Sequence, residues 1–268
     1  MQQPSLIALL TDFGLDDPFV GVMKGVIATI CRTAQVIDLC HAVSAQNIRE
    51  GAFHLDRSFS FFPTGTIFAC IVDPGVGTPR RPIAVEAGTY RFVAPDNGLL
   101  TPIFDRYPDA RCHLLSDTRY RLPAPSATFH GRDIFSPAAA HLASGVPIEA
   151  LGPAIELSGC TRIGVLRNRP MENGQGWTGE VISIDRFGNV ITSFEASITG
   201  GTDSWQVSAG VWPALPVLRT YGDVEPGQPL AYPGSSGMIE IAIRDGNASK
   251  DMQIGLNDAV HLRPQGRS

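Results

Sequence analysis

The chain has 268 residues, of which 43% are hydrophobic and 18% charged, a globular composition with room for one large domain or two modest ones. A formal net charge of -5 and the lack of any long Lys/Arg block argue against a nucleic-acid surface. No apolar run approaches a membrane span, and no secretion signal opens the chain. The cysteines Cys31, Cys40, Cys70, Cys112 and Cys160 are odd in number and scattered, which favours reduced core thiols in a cytoplasmic protein over disulfides or a zinc knot.

In chain order, Ser5 to Leu10 predicts a strand, residues 20–31 a helix and Ala34 to Leu39 a second strand. Asn47 to Phe59 carries Ile48, Ala52 and Leu55 at near-helical spacing, and Thr66 to Val72 reads as another strand. This rhythm predicts an N-terminal α/β domain with a largely parallel, largely buried sheet. Ser136 suits an N-cap, Pro137 the first turn and Gly145 the end of one further helix. From about residue 160 the texture becomes short β-like stretches, Gly179 to Ile184, Asn189 to Phe194 and Met238 to Ile243, between Gly-, Pro- and Asn-rich turns. The expected division is 1–160, α/β, and 161–268, smaller and mainly β.

Polar, glycine-rich clusters are expected just after strands: TDFGLDD at 11–17, VDPGVGTPRR at 72–81, APDNGLL at 94–100, TFHGRDIF at 128–135 and IDRFGN at 184–189. Loops at the carboxyl ends of strands in open α/β sheets are where ligand crevices form. Each cluster singly also reads as an ordinary turn; the concentration of Asp, Arg, His and Asn in them points to a site. Asp12 can accept two hydroxyl hydrogen bonds, as from a ribose. Asp16 and Asp17 can pair with a cationic amine or cap the following helix. His130, Arg132 and Asp133 form a polar knot beside Phe129 and Phe135, with Arg132 and Asp133 expected to brace the loop. His141 reads as helix packing, and His41, His54, His113 and His261 show no metal-ligand pattern, so no metal is expected. Phosphate-loop, dinucleotide, kinase and nucleophile-elbow motifs are absent. These residues point to an enzyme for a small polar ligand, with hydrolysis the expected chemistry.

The clusters in this order closely resemble the S-adenosyl-L-methionine (SAM) hydroxide adenosyltransferases, the SAM hydrolases of the fluorinase/chlorinase superfamily. The likeness runs from LLTDFGLDDPFVGVMKG through VIDLCH, FFPTGTIFACIVDPGVGTPRRPI, VAPDNGLLT, TFHGRDIFSPAAAHLASG, ISIDRFGNVITSF and SSGMIEIAIRDGNAS to GLNDAVHL, essentially the whole chain. It implies an α/β sandwich-like domain followed by a β-barrel-like one, and a homotrimer with intersubunit active sites. The implied substrate is SAM, attacked at ribose C5′ by activated water without a cofactor. By motif, the catalytic set falls on Asp73, Arg80 and His130, with Arg81 an alternative if the register slips. Asp12 is implied for the ribose diol, Asp17 for the methionine ammonium, and Asp185 for the methionine end. Ser235 or Ser236 is implied for the amino-acid portion. Asn189, Tyr232 and Glu240 are implied on the adenosine side, and Asn247 and Ala248 as backbone contacts to adenine. A halogenase of the same superfamily is the rival reading. That branch carries other residues where this chain has Asp73, Val76 and Gly131, and an insertion before His130 that is missing here. A non-catalytic SAM or adenosine sensor is the other alternative.

Overall fold

The computed structural model describes residues 5–172, 174–200 and 204–265. The chain divides into two compact units, Met1–Val165 and Leu166–Ser268.

In the first unit, β1 (Leu6–Thr11), α1 (Phe19–Ile30), β2 (Gln35–Cys40), α2 (Ile48–Ser58) and β3 (Ile67–Ile71) alternate as the apolar spacing predicts. Then follow β4 (Pro82–Ala87), β5 (Tyr90–Pro95), α3 (Thr101–Arg106), β6 (Arg111–Leu114), α4 (Ser136–Ala143) and β7 (Ala154–Ile155). The sheet order is β2-β1-β3-β5-β4-β6-β7. The first four strands pair in parallel; β4, β6 and β7 add three antiparallel pairings. The sheet is therefore mixed, with its parallel half at one side.

Strand side chains alternate between faces, so neighbouring residues of β1 serve different cores. Ala8 and Leu10 pack with Leu55 of α2, Ile103 of α3, Phe68 and Phe92. Ile7 and Leu9 pack with Met23 and Ile27 of α1, Ala139 and Leu142 of α4, and Ile67. β1 and β3, covered on both faces, are apolar almost throughout, which is what made them legible in the sequence, while the edge strand β2 is largely exposed and carries Gln35 and Asp38.

The start of α4 differs from expectation. Ser136 caps nothing: a single π-helical turn, Gly131–Phe135, runs directly into the helix, Phe135 stands at the N-cap, and Ser136 is buried. The far end follows expectation, Gly145 taking φ +92. The first unit continues past residue 160 because the Thr161 amide donates to Asp96 Oδ1 (2.8 Å) and the Ile163 amide to Thr101 Oγ1 (3.0 Å).

The second unit holds β8 (Arg169–Pro170), β9 (Trp177–Ile184), β10 (Val190–Glu195), β11 (Trp205–Ala209), β12 (Leu215–Pro216), β13 (Pro229–Pro233), β14 (Met238–Ile243), α5 (Ala248–Met252) and β15 (Ala259–Pro264). Its antiparallel order is β12-β11-β15-β9-β10-β14-β13, with β8 on β9. The end strands meet: Val217 bridges Ala231, and the Leu218 amide donates to the Ala231 carbonyl at 2.8 Å. The sheet thus closes nearly into a barrel around Val181, Phe194, Val207, Ile241 and Leu262, removing most of its exposed edge.

Candidate active site

Three of the five clusters follow adjacent parallel strands of the first unit, after β1, β3 and β5. A fourth, 184–189, follows β9 in the second unit. The 128–135 cluster does not follow a strand. It ends the irregular segment after β6 and forms the π-helical turn, a geometry often found at functional sites.

The loop after β3 folds back on itself. The Val76 amide donates to the Asp73 carbonyl (3.2 Å), and Thr78 Oγ1 donates to the Gly75 carbonyl (2.7 Å). Gly77 sits at φ +78, and a Cβ there would lie 2.7 Å from the Ala127 carbonyl oxygen; only glycine fits both demands.

This hairpin brings Arg80 back onto Asp73. Arg80 Nε lies 3.0 Å from each Asp73 carboxylate oxygen, and Nη2 bonds Oδ2 as well. The same Nη2 is 2.7 Å from His130 Nδ1, and the guanidinium lies over the Phe135 ring. A guanidinium only donates, so Nδ1 accepts and the neutral imidazole carries its proton on Nε2. Burial, reinforced by the Arg80 charge and opposed by Asp73 and Asp133, holds the His130 pKa below its ordinary value. The Asp73 and Arg80 side chains are only 5% and 9% exposed. Asp73, Arg80 and His130 therefore form one connected, largely dry set.

The neighbouring Arg81 turns elsewhere. It pairs with buried Asp96 at the end of β5 and donates to the Gly159 carbonyl. Arg132 grips Asp133, which also accepts from the Ser126 amide (2.7 Å), bracing the loop that presents His130. His141 packs edge-on against Tyr120.

The turn after β1 adjoins this set. A side chain at Gly131 would stand 3.2 Å from the Phe13 ring, and Phe13, Phe19 and Phe129 form an aromatic triangle with centroids 5.2 to 5.9 Å apart. Asp12 is half-buried, and its Oδ2 accepts from the Gln46 amide at 2.7 Å. Asp16 and Asp17 are exposed; neither caps α1, whose N-cap is Pro18 without a side-chain bond.

In the second unit, Asp185, Asn189, Tyr232, Ser236 and Glu240 join one hydrogen-bonded chain. Asp185 Oδ1 accepts from the Phe187 and Asn189 amides, and its Oδ2 accepts from Asn189 Nδ2 at 2.8 Å. Asn189 Nδ2 also donates to the Tyr221 hydroxyl (2.9 Å), which bonds the Tyr232 hydroxyl, which donates to Glu240 Oε2 (2.6 Å). Ser236 Oγ donates to Glu240 Oε1 (3.3 Å), while Ser235 is exposed and outside the chain. Burial raises the pKa values of Tyr232 and Glu240. Asn189 and Tyr221 line a cavity of ≈ 560 Å³ with Phe187, Ile243, Arg244, Asp245 and Gly246. Phe187 is 74% exposed. Asn247 spends its groups on α5: its Oδ1 accepts from the Lys250 amide, its carbonyl from the Asp251 amide, and its own amide bonds Asp251.

Tyr221 and Asp96 were missed in the sequence; RTYGD offers no signal that Tyr221 meets Asn189. Among the described residues, no three His, Cys, Asp or Glu side chains converge as metal ligands. No described helix is long and apolar enough to cross a membrane.

Family models for the N-terminal and C-terminal domains of the SAM hydroxide adenosyltransferases match residues 7–152 and 179–261. The chain belongs to this family. A Thermus thermophilus relative named (R)-S-adenosyl-L-methionine hydrolase is 41% identical to this adenosyltransferase-family chain, covering 96% of it and 98% of the relative. A fluorinase of Actinopolyspora mzabensis is 31% identical over 88% of this chain and 90% of its own, so the superfamily includes both activities. The crystal structure of an uncharacterized conserved protein from Thermotoga maritima matches with a TM-score of 0.86 at 35% identity, covering 96% of this chain and 99% of that one.

Proposed function

We propose that this chain hydrolyses S-adenosyl-L-methionine to adenosine and L-methionine, with Asp73, Arg80 and His130 holding the attacking water. The observation that carries the reading is the fork of Arg80, bonded to both Asp73 and His130 Nδ1. It leaves a carboxylate as acceptor and the imidazole Nε2–H as donor, the two partners that orient one water. The water donates to Asp73 and accepts from His130, and its remaining lone pair is directed at C5′. As the C5′–O bond forms, the C5′–S bond breaks and its electron pair returns to sulfur, giving a neutral thioether. One water proton passes to Asp73 and on to solvent; the other stays on the new 5′-hydroxyl. A sulfonium leaves without protonation, so the catalytic demand falls on the nucleophile, and Arg80 steadies the negative charge beside it.

Asp12, with one oxygen tied to Gln46, is the ribose acceptor; exposed Asp17 is assigned to the substrate ammonium. The cavity beside Phe187 and Tyr221 takes the adenine, since two aromatic rings and Ile243 offer apolar surface to a base and Asn189 a polar group to its edge. Asp185, half-buried and bonded to Asn189, remains assigned to the methionine end and also holds Asn189 in place. Ser235 and Ser236 are assigned to the amino-acid portion. The halogenase reading is disfavoured because a buried carboxylate at position 73 repels a halide. The proposal includes a homotrimer with sites completed across subunit boundaries and, with five free thiols, a reducing cytoplasmic setting. Light scattering of the active protein tests the trimer.

The deciding experiment is SAM hydrolysis in oxygen-18 water. The label is expected on the adenosine 5′-hydroxyl, with turnover abolished in His130→Ala while calorimetric SAM affinity stays near wild type. Unlabelled adenosine, or SAM returned intact by the wild-type protein, refutes the reading.

A further inference from the structure

The polar chain behind the second-unit cavity has a direction set by counting hydrogens. Tyr232 owns one hydroxyl hydrogen, and it goes to Glu240 Oε2 at 2.6 Å. The bond between the two phenols is therefore donated by Tyr221, whose oxygen is left to accept from Asn189 Nδ2 at 2.9 Å. The second Nδ2 hydrogen goes to Asp185 Oδ2 at 2.8 Å. Asp185 receives two backbone amides on Oδ1, so it too acts as an acceptor. Both amide hydrogens of Asn189 are spent inside the protein. The one polar side-chain atom it has left for the cavity is Oδ1, an acceptor.

We propose that Tyr221, Tyr232 and Glu240 are positioning residues that hold the Asn189 amide in this one orientation, so that the cavity selects a base carrying a hydrogen-bond donor, the 6-amino group of adenine, over the 6-oxo group of hypoxanthine. The inference rests on the proposed adenine assignment of this cavity. Tyr232 and Glu240 are buried, 8% and 7% exposed, and neither lines the cavity; they act through Tyr221 and Asn189. Turning the amide round would set Asn189 Oδ1 against the Asp185 carboxylate and against a phenol whose hydrogen is committed to Tyr232. The network therefore opposes both the flipped amide and a base edge that presents an acceptor, since an oxygen facing Oδ1 leaves two buried acceptors unpaired.

The test measures adenosine and inosine binding by calorimetry, alongside SAM hydrolysis, in wild type, Tyr232→Phe and Tyr221→Phe. Wild type is expected to favour adenosine over inosine by roughly 10- to 100-fold. Tyr232→Phe, remote from the ligand, is expected to shrink that preference by about 2- to 12-fold, the equivalent of one net hydrogen bond. Tyr221→Phe cuts the same chain while keeping the buried Tyr232–Glu240 bond, and it decides the matter if Tyr232→Phe fails to fold. A merely structural role would weaken both nucleosides in equal proportion, and that outcome overturns the inference. So does equal wild-type binding of the two nucleosides, even by a protein that hydrolyses SAM. A wild-type protein that neither hydrolyses SAM nor binds adenosine overturns the proposed function itself, and the inference with it.

Discussion

Arg80→Met strips Asp73 of its cation while roughly keeping side-chain volume. Asp73 is 5% exposed and both its oxygens accept from Arg80, so the variant leaves a buried, uncompensated carboxylate. Breaking a buried pair in this way costs about 3–5 kcal/mol, a large share of the roughly 5–15 kcal/mol that holds a domain folded. Asp73→Asn in the Arg80→Met background removes the stranded charge, so the double variant should cost less than the two singles together, by about 1–3 kcal/mol. The choice of probe matters. All three tryptophans, Trp177, Trp205 and Trp212, lie in the second unit, and their fluorescence would miss the event. Helical circular dichroism through urea unfolding is the suitable signal, because α1 to α4 belong to the first unit. Neither Arg80→Met nor the double variant should hydrolyse SAM, which separates charge burial from catalysis. A cost below about 1 kcal/mol for Arg80→Met, or strict additivity in the double variant, refutes the reasoning.

The pH profile of SAM hydrolysis should carry an acid limb centred below 6.5, because burial and the Arg80 charge lower the His130 pKa from that value. Protonation would place a hydrogen on Nδ1 facing Arg80, so the active form is the neutral ring. The sign for stability is the same: a depressed folded pKa contributes stability above pH 6.5 that is lost as pH falls through the lowered value. A limb centred above 6.5 in the wild type, or one unchanged in His130→Gln, refutes this. Gly77→Ala should destabilise the first unit by at least about 1–2 kcal/mol from the left-handed backbone alone. It should also lower turnover, because the new Cβ meets the Ala127 carbonyl at 2.7 Å; a variant with wild-type melting temperature and rate would refute that assignment.

In the parallel half of the first sheet β1 and β3 were legible as continuous apolar runs and the edge strand β2 through Val36, Ile37 and Leu39, and the helices between them show their buried stripe. The antiparallel half was not, since β4, β6 and β7 rest on pairings between distant segments that no local period encodes. The expected cap at Ser136 failed for a similar reason: a cap motif assumes the helix starts there, and the π-helical turn before it means the helix does not. At the site, the resemblance to the adenosyltransferases implied Asp73, Arg80 and His130 as one set, whereas residue type alone grouped His130 with Arg132 and Asp133. What sequence spacing could not reveal is which neighbour each polar group had already engaged. Asp185 and Tyr232 look like free ligand groups in the sequence and prove to be bonded within their own unit.

Arg80 and Arg81 stand side by side in the chain yet serve opposite faces of the sheet. Arg80 reaches Phe135, which packs with the α1 and α4 layer. Arg81 reaches Asp96 and Gly159, next to Cys160 in the α2 and α3 layer. Because successive residues of an extended segment alternate faces, a single-residue deletion in the 74–79 hairpin would deliver Arg81 to Asp73 and strip Asp96 of its partner. The doubled arginine thus confers no redundancy against indels. A substitution in the hairpin outside Gly77 leaves this register intact, but a change of its length by one residue damages the reaction centre and the scaffold in the same event.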